Sequence, residues 1–195
     1  MKKALIVIDV QESFRQLPDW AAISDPDIAE KAGRLVDHAR AEGDLVVWVL
    51  HTAPGSGGAF DPDQGHVRYI EGLKPEPGEP ELTKTSHNAF TTTNLHQILT
   101  REGVGEVLIS GIRTEQCCET TARVASDLGF GVTFVSDATA TNPIEHPGAE
   151  PGRDLEAILA DPRTLGTDEV IARTEYALAG RFARISSVAE VTAAS

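Results

Sequence analysis

The sequence is short of the features that would place it in a bilayer, on nucleic acid or in an oxidising compartment. No stretch of its 195 residues approaches the ~20 consecutive apolar residues of a membrane span. The chain also enters its first apolar run, Ala4 to Ile8, without the hydrophobic segment of a leader peptide. Basic residues are few: 17 Lys and Arg against 30 Asp and Glu give a formal net charge of −13, which argues against nucleic acid and anionic membrane surfaces as partners. A small anionic substrate stays open, because one local Arg or Lys reverses the field inside a pocket. There are only two cysteines, Cys117 and Cys118. A disulfide between neighbours is strained, so both read as reduced thiols in a cytoplasmic protein. No G-x-G-x-x-G follows the first strand, and Gly55-Ser56-Gly57-Gly58 lacks the Lys-Ser/Thr of a phosphate loop. No cofactor is expected, and that glycine run reads as a flexible loop beside the second strand.

What is present alternates. At 41% hydrophobic residues, 195 residues suffice for one domain, 1–195, with a sizeable core. Ala4 to Ile8 reads as a buried strand. Asp25-Pro26 then opens a helix running to about Glu42, with Ile28, Ala32, Leu35, Val36 and Ala39 at helical spacing. Asp44 to Leu50 is a second strand, and a Gly/Pro-rich loop runs from about His51 to Pro80. A helical pattern at Asn94 to Glu102, a strand at Glu106 to Ser110, a helix after Thr114 and a strand at Gly131 to Ser136 follow. Ala183 to Ser186 is a last strand, with a short helix from Ser187. This alternation predicts a three-layer α/β/α sandwich on a mainly parallel sheet.

The stretch from Gly111 to Gly129, GIRTEQCCETTARVASDLG, places a cysteine in the first turn of a helix that follows an apolar strand. Thr114 is the natural N-cap. Cys117, three residues later, then sits where the positive end of the helix dipole favours a thiolate. The same pattern also suits a small buried cysteine packing a helix on a sheet. Asp9 ends the first strand at the carboxyl edge, where open α/β sheets build their sites, although acidic residues also cap such loops. Lys84, in ELTKTSHNAF, is a solvated charge unless it has company. Together the three strand-end residues have the means to converge on one point.

These residues form a pattern. Asp9-Val10-Gln11 ends the first strand, Lys84 precedes Ala89-Phe90, Gly111 leads to Thr114 and Cys117, and Asp137-Ala138-Thr139 follows. Across residues 3 to about 141 the order and spacing resemble those of the isochorismatase-like cysteine hydrolases, which include nicotinamidases and carbamoylsarcosine and ureidoacrylate amidohydrolases. The resemblance implies a Rossmann-like fold and a catalytic Asp9, Lys84 and Cys117. It also implies hydrolysis of a small amide, carbamoyl or ureido compound through a thioester. Vinyl-ether hydrolysis on the same scaffold, or a non-catalytic thiol-sensing protein, are the alternatives. The resemblance further implies a non-proline cis peptide at Ile112-Arg113, with the backbone N–H groups of Arg113 and Cys117 as oxyanion donors. Gln11, Phe14, Arg113 and Thr114 are the expected substrate contacts. The Arg113 guanidinium would bind a substrate carboxylate, or pair with Glu115 or a neighbouring subunit. Cys118 stands where the family usually has valine and reads as a core residue.

The chain also departs from that family. Nicotinamidases hold a metal with a D-x-H pair after the second strand, whereas here His51-Thr52-Ala53 stands at that place and Asp61, Asp63 and His66 lack ligand spacing. No metal is therefore expected. Residues 141 to 167 add a Pro/Gly-rich insertion with a short helical pattern, Asp154 to Leu159. Its prolines at 143, 147, 151 and 162 suit a preformed cover, which leads to the expectation of a homo-oligomer, dimer or tetramer, with this segment closing the site or lying at an interface.

Overall fold

The structure is a computed structural model that describes residues 2–193. Six strands form one sheet: β1 (Lys2–Ile8), β2 (Leu45–His51), β3 (Glu81–Lys84), β4 (Val104–Ile112), β5 (Gly131–Ala140) and β6 (Arg184–Ser186). Their order is β3-β2-β1-β4-β5-β6, and every pairing is parallel. The helices are α1 (Glu12–Arg15), α2 (Ile28–Glu42), α3 (Leu95–Arg101), α4 (Glu119–Asp127), α5 (Leu155–Ala160), α6 (Thr167–Leu178) and α7 (Val188–Ala193). Among the described residues no helix is long and apolar enough to cross a membrane.

The two-residue period of a strand explains the layers. Ala4, Ile6 and Ile8 of β1, with Val47 and Val49 of β2, pack on Leu95 and Leu99 of α3, Ala122 and Ala125 of α4 and Leu178 of α6. Leu5, Val7, Val46 and Trp48 point the other way, onto Ile28, Ala32, Leu35, Val36 and Ala39 of α2 and Val188 and Val191 of α7. The expected sandwich and the α2 stripe are both present.

The boundaries differ where polar side chains intervene. The Asp25 carboxylate accepts the Asp27 N–H, so the chain turns once more before α2 starts at Ile28, and Pro26 stays outside the helix. β5 does not end at Ser136. Its pairing with β4 jumps from Ile109 opposite Phe134 to Gly111 opposite Thr139, so residues 135–138 bulge and Asp137-Ala138-Thr139 remains in the strand. Asp137 turns back to accept the Val188 N–H at the start of α7. β3 and α1, each four residues long, are too short for a periodic signal to announce them.

Candidate active site

In a parallel sheet all strands end on one edge, so the residues following β1, β2, β3 and β4 share a rim. Asp9, the residue after β1, has φ 55°, a left-handed conformation that Asp tolerates better than most, and its N–H donates to Val49 O at 2.8 Å. Beside it, Gly111 of β4 has φ 142°, and a Cβ there would stand 1.9 Å from the Ile8 carbonyl oxygen. Only glycine lets β4 pass that close to the peptide carrying Asp9.

Lys84 ends β3 and is fully buried, as is Asp9. Its Nζ lies 2.7 Å from Asp9 Oδ2 and 3.3 Å from Cys117 Sγ, and it donates to Ser86 O at 3.1 Å. His51 Nδ1 is a fourth neighbour at 3.3 Å. A buried ammonium or carboxylate left alone would cost several kcal/mol, so each depends on the other. Cys117 keeps 7% of its surface, whereas Cys118 is completely enclosed in the core with Ala122 and Ala125, as expected for it. The Thr121 hydroxyl donates to Cys117 O and accepts the Ala89 N–H, tying the loop after Lys84 to the cysteine turn. The three residues predicted to converge therefore do so around one ammonium.

The cysteine turn is built differently from the expectation. Thr114 to Cys118 form a π turn ahead of α4, in which the Cys118 N–H reaches back to Arg113 O. Thr114 is not the N-cap; it is fully buried, and its hydroxyl donates to Thr139 Oγ1, just after the bulge of β5. Nor does the turn yield a resting thiolate. Burial, and then the neighbouring Asp9 charge, push the Cys117 thiol up to about 12. Asp9 is itself raised to about 6 by burial, with Lys84 and Cys117 pulling in the opposite direction. The resting site is a carboxylate, an ammonium and a thiol, with a base beside the sulfur.

The peptide between Ile112 and Arg113 is cis. Within the chain the Arg113 guanidinium pairs not with Glu115 but with Asp19, whose Oδ2 it meets at 2.6 Å in the turn Pro18–Ala22. Glu115 instead accepts the Thr141 hydroxyl. Arg113, Asp19, Glu115 and Gln116 border a cleft of about 310 Å³ whose far wall is Pro143, Ile144, Leu155 and Ile158, so the 141–167 segment lies over the turn that carries Cys117. Gln11, expected to contact substrate, is a clamp. It is fully buried, its carbonyl accepts the His51 N–H at 2.7 Å, and its amide donates to His51 O and Ser13 Oγ. Phe14 does stand near the site, edge-on to Phe60 at 4.9 Å, and Phe60 in turn meets the His51 ring at 5.5 Å.

The residues weighed for a metal do not fit one. His51 turns its Nδ1 to an ammonium, which repels a cation. The Asp61 carboxylate accepts the N–H groups of Gly57 and Asp63 and so organises the glycine loop. Among the described residues no three His, Cys, Asp or Glu side chains gather as a ligand set. His51, Phe60 and Asp19 are the site neighbours whose roles the sequence reading missed. For His51 the missing signal was β3 itself, because pairing β3 with β2 sets His51 opposite Lys84.

A model of the isochorismatase domain family matches residues 3–150. The chain is 33% identical over 139 residues to an uncharacterized isochorismatase family protein, YrdC, of Bacillus subtilis, covering 71% of this chain and 74% of that protein. It is 36% identical over 142 residues to a streptothricin hydrolase of Streptomyces noursei, covering 71% of this chain and 54% of the relative. In three dimensions it resembles the crystal structure of an isochorismatase from Pseudomonas putida, with a TM-score of 0.82 and 28% identity over 96% of this chain and 89% of that one.

Proposed function

We propose that this chain, which belongs to the isochorismatase family of hydrolases, is a cysteine amidohydrolase acting on a small amide, carbamoyl or ureido compound. The carrying observation is the buried Lys84 ammonium, 2.7 Å from Asp9 and 3.3 Å from Cys117. Asp9 takes the Cys117 proton, and the sulfur adds to the substrate carbonyl carbon, forming the C–S bond. Lys84 balances the charge as it moves from carboxylate to sulfur. The oxyanion is held by the backbone N–H groups of Arg113 and Cys117. Collapse breaks the C–N bond as the protonated Asp9 gives its proton to the departing amine or ammonia. Water deprotonated by Asp9 then adds to the thioester, the C–S bond breaks, and the acid and the thiol are released. Vinyl-ether hydrolysis does not need this thiol, so the presence of Cys117 beside a base favours the amide reading.

We assign Phe14, Phe60 and His51, linked by ring contacts, to one side of the substrate space, and Arg113 with Gln116, which border the cleft under residues 141–167, to the other. The relative named as a streptothricin hydrolase supports hydrolysis as the reaction class. Residues 141–167 are assigned as a cover over this side, and a homo-oligomer is the proposed working form; Leu159 on α5, 54% exposed, and Tyr176 on α6, 87% exposed, offer apolar contact. The test is an ammonia-release screen over small amides, carbamoyl compounds and ureides with wild-type protein and Cys117→Ala. Release that depends on Cys117 is expected, and equal release from both proteins rejects the reading.

A further inference from the structure

Lys84 has three ammonium hydrogens and three hydrogen-bonding neighbours, Ser86 O, Cys117 Sγ and His51 Nδ1, while Asp9 Oδ2 is its ion-pair partner at 2.7 Å. An ammonium only donates, so where His51 Nδ1 shares a hydrogen bond with it at 3.3 Å the nitrogen accepts, as the neutral imidazole protonated on Nε2 does. A protonated His51 would set one cation against another in a buried site.

His51 is held for this purpose from both ends. Gln11, itself buried, grips the His51 N–H and carbonyl with its amide at 2.7 and 3.0 Å. Phe60 packs edge-on against the ring at 5.5 Å. The charged or titratable groups acting on the ring are Lys84 and, from the segment after β3, His87; burial, then these two, lowers His51 to about 4. Asp61, in the loop that carries Phe60, is committed to backbone N–H groups of its own loop.

Building on the amidohydrolase reading, we propose that His51 is a positioning residue: its neutral Nδ1 accepts from Lys84 and holds that ammonium between Asp9 and Cys117. Without the acceptor, Lys84 has one fewer anchor on the β2 side. Its charge then supports both the Asp9 carboxylate and the developing Cys117 thiolate less well.

The test needs no substrate. The rate at which iodoacetamide alkylates Cys117, located by tandem mass spectrometry, is followed from pH 4.5 to 9 in wild type, His51→Phe, His51→Asn and Asp9→Asn, with thermal unfolding measured alongside. Loss of a hydrogen bond to a charged group predicts alkylation of His51→Phe slowed about tenfold or more at neutral pH. Its acid limb should also move upward from about 6, because Asp9 loses part of the charge that keeps it ionised. In His51→Asn the amide oxygen, carried on Cγ as Nδ1 is, replaces the acceptor and restores the rate to within about threefold, with the limb near the wild-type position. If His51→Phe fails to fold, His51→Leu, which also lacks an acceptor, takes its place with the same expectations. Wild-type rate and limb in the Phe or Leu variant, or an Asn variant as impaired as Phe, overturns the proposal. If Asp9→Asn alters alkylation and the His51 variants do not, only the role of His51 fails; if Asp9→Asn also leaves it unchanged, the underlying amidohydrolase reading fails with it.

Discussion

A thiol raised to about 12 is a poor nucleophile by itself, and the residues around Cys117 show how that is overcome. Asp9, at about 6, is ionised at neutral pH, and it can take the proton at the moment the sulfur attacks. The sign follows: the ionised form is the active one, so kcat/KM should rise as pH increases through about 6 and fall on the acid side as Asp9 protonates. A pH profile flat across this region contradicts the assignment of Asp9 as base. Cys117→Ser and Asp9→Asn should each lose at least ~10³-fold in turnover while remaining folded. Asn is the choice at position 9 because it tolerates φ 55° as Asp does. Cys118→Ala should keep turnover within a few-fold and lose about 1 kcal/mol of stability, since it removes one buried sulfur from the core. Because His51 faces an ammonium and Asp61 is committed to backbone N–H groups, dialysis against a strong chelator should leave activity intact. Loss on chelation with recovery on added zinc, iron or manganese would show that these residues were misread.

At the scale of the element, the site depends on how closely β4 approaches β1. Gly111→Ala would drive a methyl group to 1.9 Å from the Ile8 carbonyl and so move the peptide that carries Asp9. The expected result is a destabilisation of roughly 3 kcal/mol or more, measured by denaturant unfolding, with turnover lost even in the folded fraction. A stable, fully active Gly111→Ala would show that Asp9 is not placed by this contact. The same scale shows what the sequence could reveal. β1, β2, α2 and α4 carry strong apolar patterns, and Asp9 and Cys117 were legible because each adjoins such an element, whereas Lys84, at the end of the four-residue β3, was legible only through its spacing to Ala89-Phe90 in the family pattern. Thr114 was misplaced because a cap and a π turn start with the same residues, and only the partner of its hydroxyl, Thr139 in a bulged strand, separates them. Gln11 was misread for a related reason: nothing local says that a buried amide will find the backbone of a residue forty positions away. Arg113 and Asp19 likewise meet only after the sheet has brought the two loops together.

For the molecule as a whole, six parallel strands gather the loops after β1, β2, β3 and β4 on one rim, and residues 141–167 lie beside the turn that bears Cys117. Replacing residues 143 to 165 with a short Gly/Ser bridge should reduce turnover or change the mass seen by light scattering, as expected of a cover or an interface. Unchanged turnover, substrate range and mass would make the segment dispensable. The most direct test of the central claim is chemical: quench wild-type protein during turnover of an amide that the ammonia screen identifies, and map the acyl group by peptide mass spectrometry. The account predicts a thioester on Cys117 that decays as product forms and is absent in Asp9→Asn. Full turnover with no adduct on Cys117, or with the acyl group on any other residue, would contradict it.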